Sequence, residues 1–170
     1  MQEIKSVFGD SKLNSTSLAF DKLQRKSMPY LDGLVQEVLR LYPPVYSDPK
    51  FCVEDDVLPS GMVIPAGTIV SYNPFAMGRM EKFLYAEPLK VNPERWTRSP
   101  NDYNFPVFQA GPRVCLGKRM AYLEVKALVL IVLSNGFRFR LEENQDLECY
   151  NLQPTLVLEH GLKVKVYRAS

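Results

Sequence analysis

The sequence predicts a mainly helical protein with a small antiparallel β meander and a C-terminal β hairpin. Residues 28–42 and 118–134 each have apolar positions at helical spacing. Between Phe51 and Tyr72, short apolar runs alternate with turn residues such as PSG and PAG, a pattern typical of a meander. Near the C-terminus, the apolar runs TLVL and LKVKV flank residues 159–161 and predict a hairpin.

The first predicted helix begins at Met28, and Pro29 suits its first turn. One apolar stripe runs along this helix and consists of Leu31, Leu34, Val35, Val38 and Tyr42. Pro43 and Pro44 end the helix because proline cannot continue it. Residues 1–27 are polar with weak periodicity, and they predict only a short helix and a loop.

The second predicted helix extends from about Lys118 to Ser134, and Asn135 and Gly136 end it. Because it is apolar on nearly all sides after Ala127, we expect this helix to be buried. A strand follows, in which apolar residues alternate with polar ones: Phe137, Phe139 and Leu141.

The segment between the meander and the second helix is largely irregular. Residues 73–84 fit a short helix, after which Pro88, Pro93, Pro100 and Pro106 interrupt the chain. A long structureless segment inside a compact domain usually has a function.

Composition and charge exclude several classes of protein. The 21 basic and 19 acidic residues are scattered, so the net charge of +2 does not indicate nucleic-acid binding. The longest apolar run, residues 127–133, is far shorter than the roughly 20 residues that span a bilayer, so we expect no transmembrane helix. The opening residues MQEIKSVFGD do not resemble a signal peptide.

The cysteine and histidine content restricts the possible metal sites. Cys52, Cys115 and Cys149 are odd in number and widely separated, which argues against a disulfide framework and against a CxxC zinc site and favours a reducing compartment. His160 is the single histidine, so a multi-histidine metal site is excluded. Any metal chemistry must therefore use thiolate or carboxylate ligands.

Cys115 stands in the segment FQAGPRVCLG, directly before the second predicted helix. The positive end of a helix dipole favours a thiolate there, and Arg113 adds positive charge. Gly111 and Gly117 allow a bulky flat group to approach the chain closely. This arrangement is suited to presenting sulfur to a metal.

Three interpretations of this segment compete. A lone cysteine is most often a buried structural residue. A phosphate-binding loop fails, because five residues rather than four separate Gly111 from Gly117, and Arg119 replaces the Ser or Thr that would hold magnesium. The third interpretation is thiolate ligation of haem iron.

A family resemblance favours the third interpretation. The segment matches F-x-x-G-x-R-x-C-x-G, the signature of the cytochrome P-450 family of haem-thiolate monooxygenases, at five positions: Phe108, Gly111, Arg113, Cys115 and Gly117. The run GPRVCLGKRMAYLEVK is similar to that of eukaryotic long-chain fatty-acid ω-hydroxylases of this family.

Two further motifs resemble the same family. Glu37 and Arg40 match its E-x-x-R helix motif; they lie three residues apart, away from the apolar stripe, which by itself predicts an exposed ion pair of little energetic value. NPERW resembles its P-E-R-F element, with Trp96 as the aromatic. The resemblance implies that Arg95 joins the helix pair in a cluster that, if buried, locks the irregular segment around the haem loop.

The resemblance implies that residues 1–170 form part of a cytochrome P-450 domain, its C-terminal region on the proximal side of the haem. Cys115 would be the axial iron ligand, Arg113 would pair with a haem propionate, and Phe108 would pack near the sulfur. The distal helix that delivers protons to oxygen is not expected in this chain, so we expect no hydroxylation by this chain alone.

The implied cofactor is haem b, with electrons from NADPH through a flavoprotein reductase for which Lys118 and Arg119 would offer a basic contact. The implied substrate is an apolar small molecule such as a fatty acid, near Val45, Tyr46 and residues 152–155. The family is anchored at the cytosolic face of the endoplasmic reticulum through an N-terminal segment, whereas this sequence by itself is compatible with the cytoplasm. A non-catalytic haem-binding or structural remnant, and a redox thiol protein without haem, remain as alternatives.

Overall fold

The computed structural model describes residues 1–10, 12–14, 18–83, 86–98, 100–145, 150–153 and 155–169. This part of the chain contains four α-helices: Gln2–Phe8 (α1), Pro29–Leu41 (α2), Pro74–Met77 (α3) and Lys118–Ser134 (α4). Short 3-10 helices connect them at Phe20–Leu23, Glu81–Phe83, Pro93–Trp96, Pro106–Phe108 and Gly111–Arg113. The two long predicted helices are confirmed within one or two residues at each end.

The strands pair as antiparallel ladders of two strands each. The first four are Asp48–Phe51 (β1), Asp56–Val57 (β2), Val63–Ile64 (β3) and Ile69–Tyr72 (β4). β1 pairs with β4, and β2 pairs with β3 inside that loop. The predicted short antiparallel strands are confirmed, but a simple meander is wrong, because the outer ladder closes around the inner hairpin.

The C-terminal hairpin also differs from the prediction. The last four strands are Phe137–Leu141 (β5), Tyr150–Leu152 (β6), Leu156–Leu158 (β7) and Val164–Arg168 (β8). β7 pairs with β6, and β8 pairs with β5, so the two runs that flank residues 159–161 do not pair with each other. β8 is matched residue for residue by β5, which offers a longer ladder than the three residues of β7.

The apolar stripe of helix α2 is only partly buried, since Leu31 and Val35 lie in the core, and the polar side of the helix is buried as well. Val38 and Tyr42 are 48% and 50% exposed, whereas four polar residues of the helix are buried, namely Asp32, Gln36, Glu37 and Arg40. The segment Pro93–Trp96 crosses α2 at Gly33, where a Cβ atom would lie 2.3 Å from the Pro93 carbonyl oxygen. This close crossing covers the polar side of α2.

Helix α4 is not buried all round, contrary to the prediction. Lys126 and Leu130 are its buried residues, while Met120 and Leu128 are 62% and 65% exposed. The helix packs along one side against α2 and the Phe20–Leu23 turn. Packing along one side is enough to stabilise the helix, and the exposed apolar side chains lie on the opposite side.

The first 27 residues contribute to the core more than their weak periodicity predicts. Ile4, Leu13 and Leu23 are buried and pack in one apolar cluster with residues of α2 and with Leu130 of α4. Glu3 also accepts hydrogen bonds from the backbone amides of Tyr30 at 2.8 Å and Leu31 at 2.9 Å. A carboxylate at this position satisfies free amides at the start of α2 and favours its dipole.

Candidate functional site

The carboxylate of Glu37 is the centre of a buried polar group that we call the Glu37 cluster: Glu37, Arg40, Asn92, Arg95 and Trp96. Arg40 donates from Nε to Glu37 Oε1 at 2.8 Å and from Nη2 to Oε2 at 2.9 Å. Both side chains are fully buried. The expectation of an exposed pair is therefore wrong, because the segment after α3 folds over this side of α2.

Two further donors complete the coordination of the Glu37 carboxylate. Trp96 donates its indole N–H to Oε1 at 2.8 Å, and the backbone N–H of Asn92 donates to Oε2 at 2.7 Å. Burial alone raises the pKa of Glu37, but the hydrogen bonds from Arg40, Asn92 and Trp96 together lower it below its ordinary value. The Glu37 carboxylate is therefore held in its charged form.

Arg40 also fixes the backbone of the irregular segment. Its Nη1 donates to the carbonyl oxygens of Gly78 and Pro88, and its Nη2 donates to that of Lys90 at 3.3 Å. Gly78 is required at its position, since a Cβ atom there would lie 2.3 Å from the Arg40 carbonyl oxygen. One arginine of α2 thus holds three points of the chain between α3 and the Pro93–Trp96 turn.

Arg95 joins Glu37 and Arg40, and the structure brings the three predicted members together. Arg95 Nε lies 3.1 Å from Glu37 Oε1, but its N–H has no hydrogen-bond partner among the described residues, so this contact is electrostatic. The guanidinium donates instead to the carbonyl oxygens of Ala86 at 2.9 Å and Lys90 at 3.1 Å.

The loop that contains Cys115 is ordered by backbone hydrogen bonds. The Cys115 amide donates to the Phe108 carbonyl oxygen at 2.8 Å, and the Lys118 amide donates to that of Cys115 at 3.2 Å. Gly111 has φ 69°, in the region that favours glycine. These contacts place Cys115 immediately before the first turn of α4.

The surroundings of the Cys115 thiol fit a flat apolar group. Cys115 is a free, exposed cysteine, and Leu116 beside it is fully exposed. Val114 is 37% exposed. A Cβ atom at Gly117 would lie 3.7 Å from the Cys115 sulfur, so any side chain there would occupy space next to it. The sulfur is therefore accessible, with apolar side chains around it and no side chain at residue 117. Arg113 is exposed in the same loop.

Phe108 connects this loop to the Glu37 cluster. Its ring packs against Tyr122 of α4 with centroids 5.5 Å apart. It also packs against the buried apolar group of Trp96, Phe105 and Val107. The packing of Phe105 and the hydrogen bond from Trp96 to Glu37 were not identified from the sequence. Phe105 and Trp96 lie in an irregular segment without apolar periodicity, so no pattern in the sequence indicates these contacts.

A second contact to the loop comes from strand β1. Lys50 donates to Gln109 Oε1 at 3.3 Å and to Asp48 Oδ2 at 2.7 Å, and the same Asp48 oxygen accepts from Tyr72. Burial alone raises the pKa of Asp48, but the bonds from Lys50 and Tyr72 lower it below its ordinary value. The sequence gives no signal for this link, because it depends on the pairing of β1 with β4.

The two residues expected to meet a partner differ in their contacts. Lys118 donates to Asp102 at 2.7 Å, so its charge is paired within the chain. Arg119 is exposed. Both residues belong to the first turn of α4.

The two segments expected near substrate lie against each other. The Leu156 amide of the β6–β7 hairpin donates to the Pro44 carbonyl oxygen at 2.6 Å. Tyr150 of the same hairpin meets Phe75 edge to face, with centroids 5.9 Å apart. Val45 is 38% exposed. Pro154 and Cys149 are outside the described residues.

The described residues offer neither a membrane-spanning helix nor a cluster of metal ligands. None of their helices has both the length and the apolar composition needed to cross a bilayer. The same residues contain no group of three or more His, Cys, Asp or Glu side chains arranged to hold a metal ion. A single thiolate ligand, as in haem binding, does not require such a group.

Comparison with known proteins identifies the family. The family profile described as Cytochrome P450 matches residues 1–166. "Cytochrome P450 94B3" of Arabidopsis thaliana is 41% identical over 170 residues, which cover 93% of this chain and 33% of the relative. "Cytochrome P450 704B1" of the same plant is 40% identical over 158 residues, covering 90% of this chain and 29% of the relative.

"Cytochrome P450 94A1" of Vicia sativa is 40% identical over 136 residues, which cover 74% of this chain and 26% of the relative. The chain therefore belongs to the cytochrome P450 family. It spans between 26% and 33% of the length of these curated relatives. The match begins at residue 1, so the first 27 residues belong to the family region as well as to the core.

Proposed function

We propose that this chain is the proximal, haem-ligand region of a haem-thiolate monooxygenase, with residues 1–170 forming part of a cytochrome P-450 domain. The observation that carries the proposal is the accessible thiol of Cys115, which stands between exposed apolar side chains at the start of α4. Haem b is the implied cofactor. When bound, it supplies the activation of molecular oxygen for insertion of one oxygen atom into a C–H bond.

The residues of the loop have separate roles in this proposal. Cys115 supplies the thiolate, and Gly117 leaves space beside the sulfur. Gly111 turns the backbone with its positive φ, and Arg113 would pair with a propionate of the haem. Phe108 supports the loop by packing against Tyr122. The Glu37 cluster supports the loop through Trp96, which bonds to Glu37 and belongs to the apolar group against which Phe108 packs.

The substrate and partner follow from the family resemblance. An apolar substrate of the fatty-acid class would lie near Val45, Tyr46 and the β6–β7 hairpin, and the bond from Leu156 to Pro44 supports a shared location. Electrons would come from NADPH through a flavoprotein reductase, with Lys118 and Arg119 as a basic contact. The complete enzyme would act at the cytosolic face of the endoplasmic reticulum.

The test is the absorbance spectrum of the purified chain after addition of haem, reduction and exposure to carbon monoxide. We expect a red-shifted Soret band that Cys115→Ala abolishes. The matched control is Cys52→Ala, which removes the other described free cysteine and should leave the band unchanged. A band that survives Cys115→Ala, or failure of the chain to take up haem, contradicts the assignment of Cys115.

A non-catalytic haem-binding remnant and a redox thiol protein are the rival functions. The remnant predicts the thiolate spectrum but no hydroxylated product with reductase, oxygen and a long-chain fatty acid. The exposed thiol of Cys115 supports the redox alternative, which predicts fast alkylation of Cys115 and no Soret band.

A further inference from the structure

Arg79 is a half-buried cation that follows α3 closely in the chain. Its Nη1 donates to the carbonyl oxygen of Phe75, in that helix, at 3.2 Å. A guanidinium carries several further N–H donors, and this bond uses only one of them. Among the residues that the structure describes, no Asp or Glu side chain forms an ion pair with Arg79. Its charge is therefore not compensated by an anion of this part of the chain.

Aromatic rings lie close to the Arg79 guanidinium. Its Cζ atom is 3.5 Å from the centroid of the Phe75 ring and 5.9 Å from that of the Tyr42 ring. Burial lowers the pKa of the Arg79 guanidinium below its ordinary value, and the charge of Arg40 acts in the same direction. An arginine nevertheless keeps its proton in a protein. Because aromatic rings attract a cation without neutralising it, the charge of Arg79 favours an anionic ligand.

The position of Arg79 connects it to the proposed substrate location. The Phe75 ring, which contacts Arg79, also meets Tyr150 of the β6–β7 hairpin edge to face, with centroids 5.9 Å apart. The other ring, Tyr42, stands two residues before Pro44, whose carbonyl oxygen accepts a backbone hydrogen bond from the same hairpin at 2.6 Å. Arg79 therefore lies beside both segments that are expected to meet the substrate.

The residues next to Arg79 and along the substrate location indicate the other part of the ligand. Tyr42 and Val45 are 50% and 38% exposed, and Met80, the next residue in the chain, is 39% exposed. Exposed apolar side chains favour a ligand with an apolar body, because its burial removes both surfaces from water. A guanidinium binds a carboxylate through two parallel hydrogen bonds. The combination fits an acid with a long apolar chain better than a small hydrophilic anion.

We propose that Arg79 binds the carboxylate of a fatty-acid substrate and so selects free acids over uncharged analogues of the same chain length. The alkyl chain then extends along Tyr42 and Val45 towards the β6–β7 hairpin. This inference rests on the proposed function, since it concerns the substrate of the same site. Arg79 is a specificity-determining residue in this arrangement, and it takes no part in the oxygen chemistry.

The experiment is isothermal titration calorimetry on the full chain, before and after addition of haem, with decanoate as the probe. The comparison ligands are 1-decanol, which has the same chain without the charge, and acetate, which has the carboxylate without the chain. We expect decanoate to bind about tenfold more tightly than 1-decanol, the value of a hydrogen bond between charged groups, and acetate to give no measurable heat.

Variants of Arg79 separate its charge from the apolar contacts. Arg79→Gln keeps an N–H donor for the Phe75 carbonyl oxygen but removes the charge. It should weaken decanoate about tenfold and leave the affinity for 1-decanol unchanged, which also shows that the variant is folded. The matched control is Arg140→Gln, at an exposed position of β5, and it should change neither affinity.

Equal affinities for decanoate and 1-decanol in the wild type, or no binding of decanoate, would overturn the proposal. An equal loss in Arg79→Gln and Arg140→Gln would do the same, because it would reflect the net charge alone. Acetate that binds as tightly as decanoate would assign Arg79 to any carboxylate, including one of a partner protein.

If Arg79→Gln does not fold, the wild-type comparison and Arg79→Met, which keeps an apolar side chain over Phe75, still decide. The carbon monoxide spectrum tests Cys115 independently. A Soret band that depends on Cys115, together with equal affinities for the acid and the alcohol, would overturn only the role of Arg79. A preference for decanoate without such a band would overturn only the assignment of Cys115.

Discussion

Trp96 donates its indole N–H to the carboxylate of Glu37 at 2.8 Å, across a separation of 59 residues. The same indole ring packs on Phe105 with centroids 4.9 Å apart, in the apolar group that also supports Phe108. One side chain therefore contacts both the charged cluster on α2 and the aromatic residues beneath the loop that contains Cys115. The geometry of that loop and the ionisation of Glu37 are physically connected.

Glu37→Gln should destabilise the chain severely. The substitution removes the negative charge that compensates Arg40, whose side chain is fully buried with it. Breaking a buried pair by removing one partner typically costs about 3–5 kcal/mol. Urea unfolding followed by circular dichroism measures the loss. The matched control is Glu124→Gln on the exposed side of α4, and a comparable loss there would contradict the specific role of Glu37.

Trp96→Phe isolates the indole N–H, since it keeps an aromatic ring in the apolar group but removes the donor to Glu37 Oε1. We expect a loss of about 1–3 kcal/mol, the range for a hydrogen bond to a buried charged group. A double-mutant cycle with Glu37→Gln measures the coupling energy. Additive losses would show that the bond contributes nothing of its own.

Gly78→Ala should destabilise the chain because the new Cβ atom would lie 2.3 Å from the Arg40 carbonyl oxygen. The backbone at Gly78 and at Arg40 cannot move apart without disturbing the Glu37 cluster. We therefore expect a loss of about 1–3 kcal/mol in the free energy of unfolding. Gly117→Ala is the matched control, since its Cβ atom would lie at an ordinary 3.7 Å from the Cys115 sulfur. Thermal unfolding of the two variants should therefore differ clearly, with Gly117→Ala close to the wild type.

Acid should remove the stability that Glu37 contributes. Because the folded pKa of Glu37 lies below the ordinary value of 4.5, this contribution is present above the unfolded pKa and is lost as the pH falls through the lower folded pKa. The difference in unfolding free energy between the wild type and Glu37→Gln should therefore narrow as the pH drops below about 4.5. A difference that stays constant over that pH range would show that the pKa of Glu37 is the same in the folded and the unfolded chain.

Much of the local structure follows from the sequence by itself. Proline at the start and after the end of α2, and Asn135 with Gly136 after α4, act within one turn of backbone, so both helices were predicted closely. The residue types in the Cys115 loop, a thiol among glycines and basic residues before a helix, likewise indicated a candidate metal-binding thiolate. These signals depend on residues that are adjacent in the chain, so the sequence alone is enough to predict them.

Burial and strand pairing were decided only by the tertiary structure. Glu37 and Arg40 would form an exposed pair on an isolated helix, but Gly78, Asn92 and Trp96 approach them from a distant part of the chain and supply donors and acceptors that make burial tolerable. In the same way, β8 pairs with β5 rather than with β7, since a longer ladder was available elsewhere in the chain. Such outcomes depend on contacts between distant segments, whose desolvation and hydrogen bonding no local pattern records.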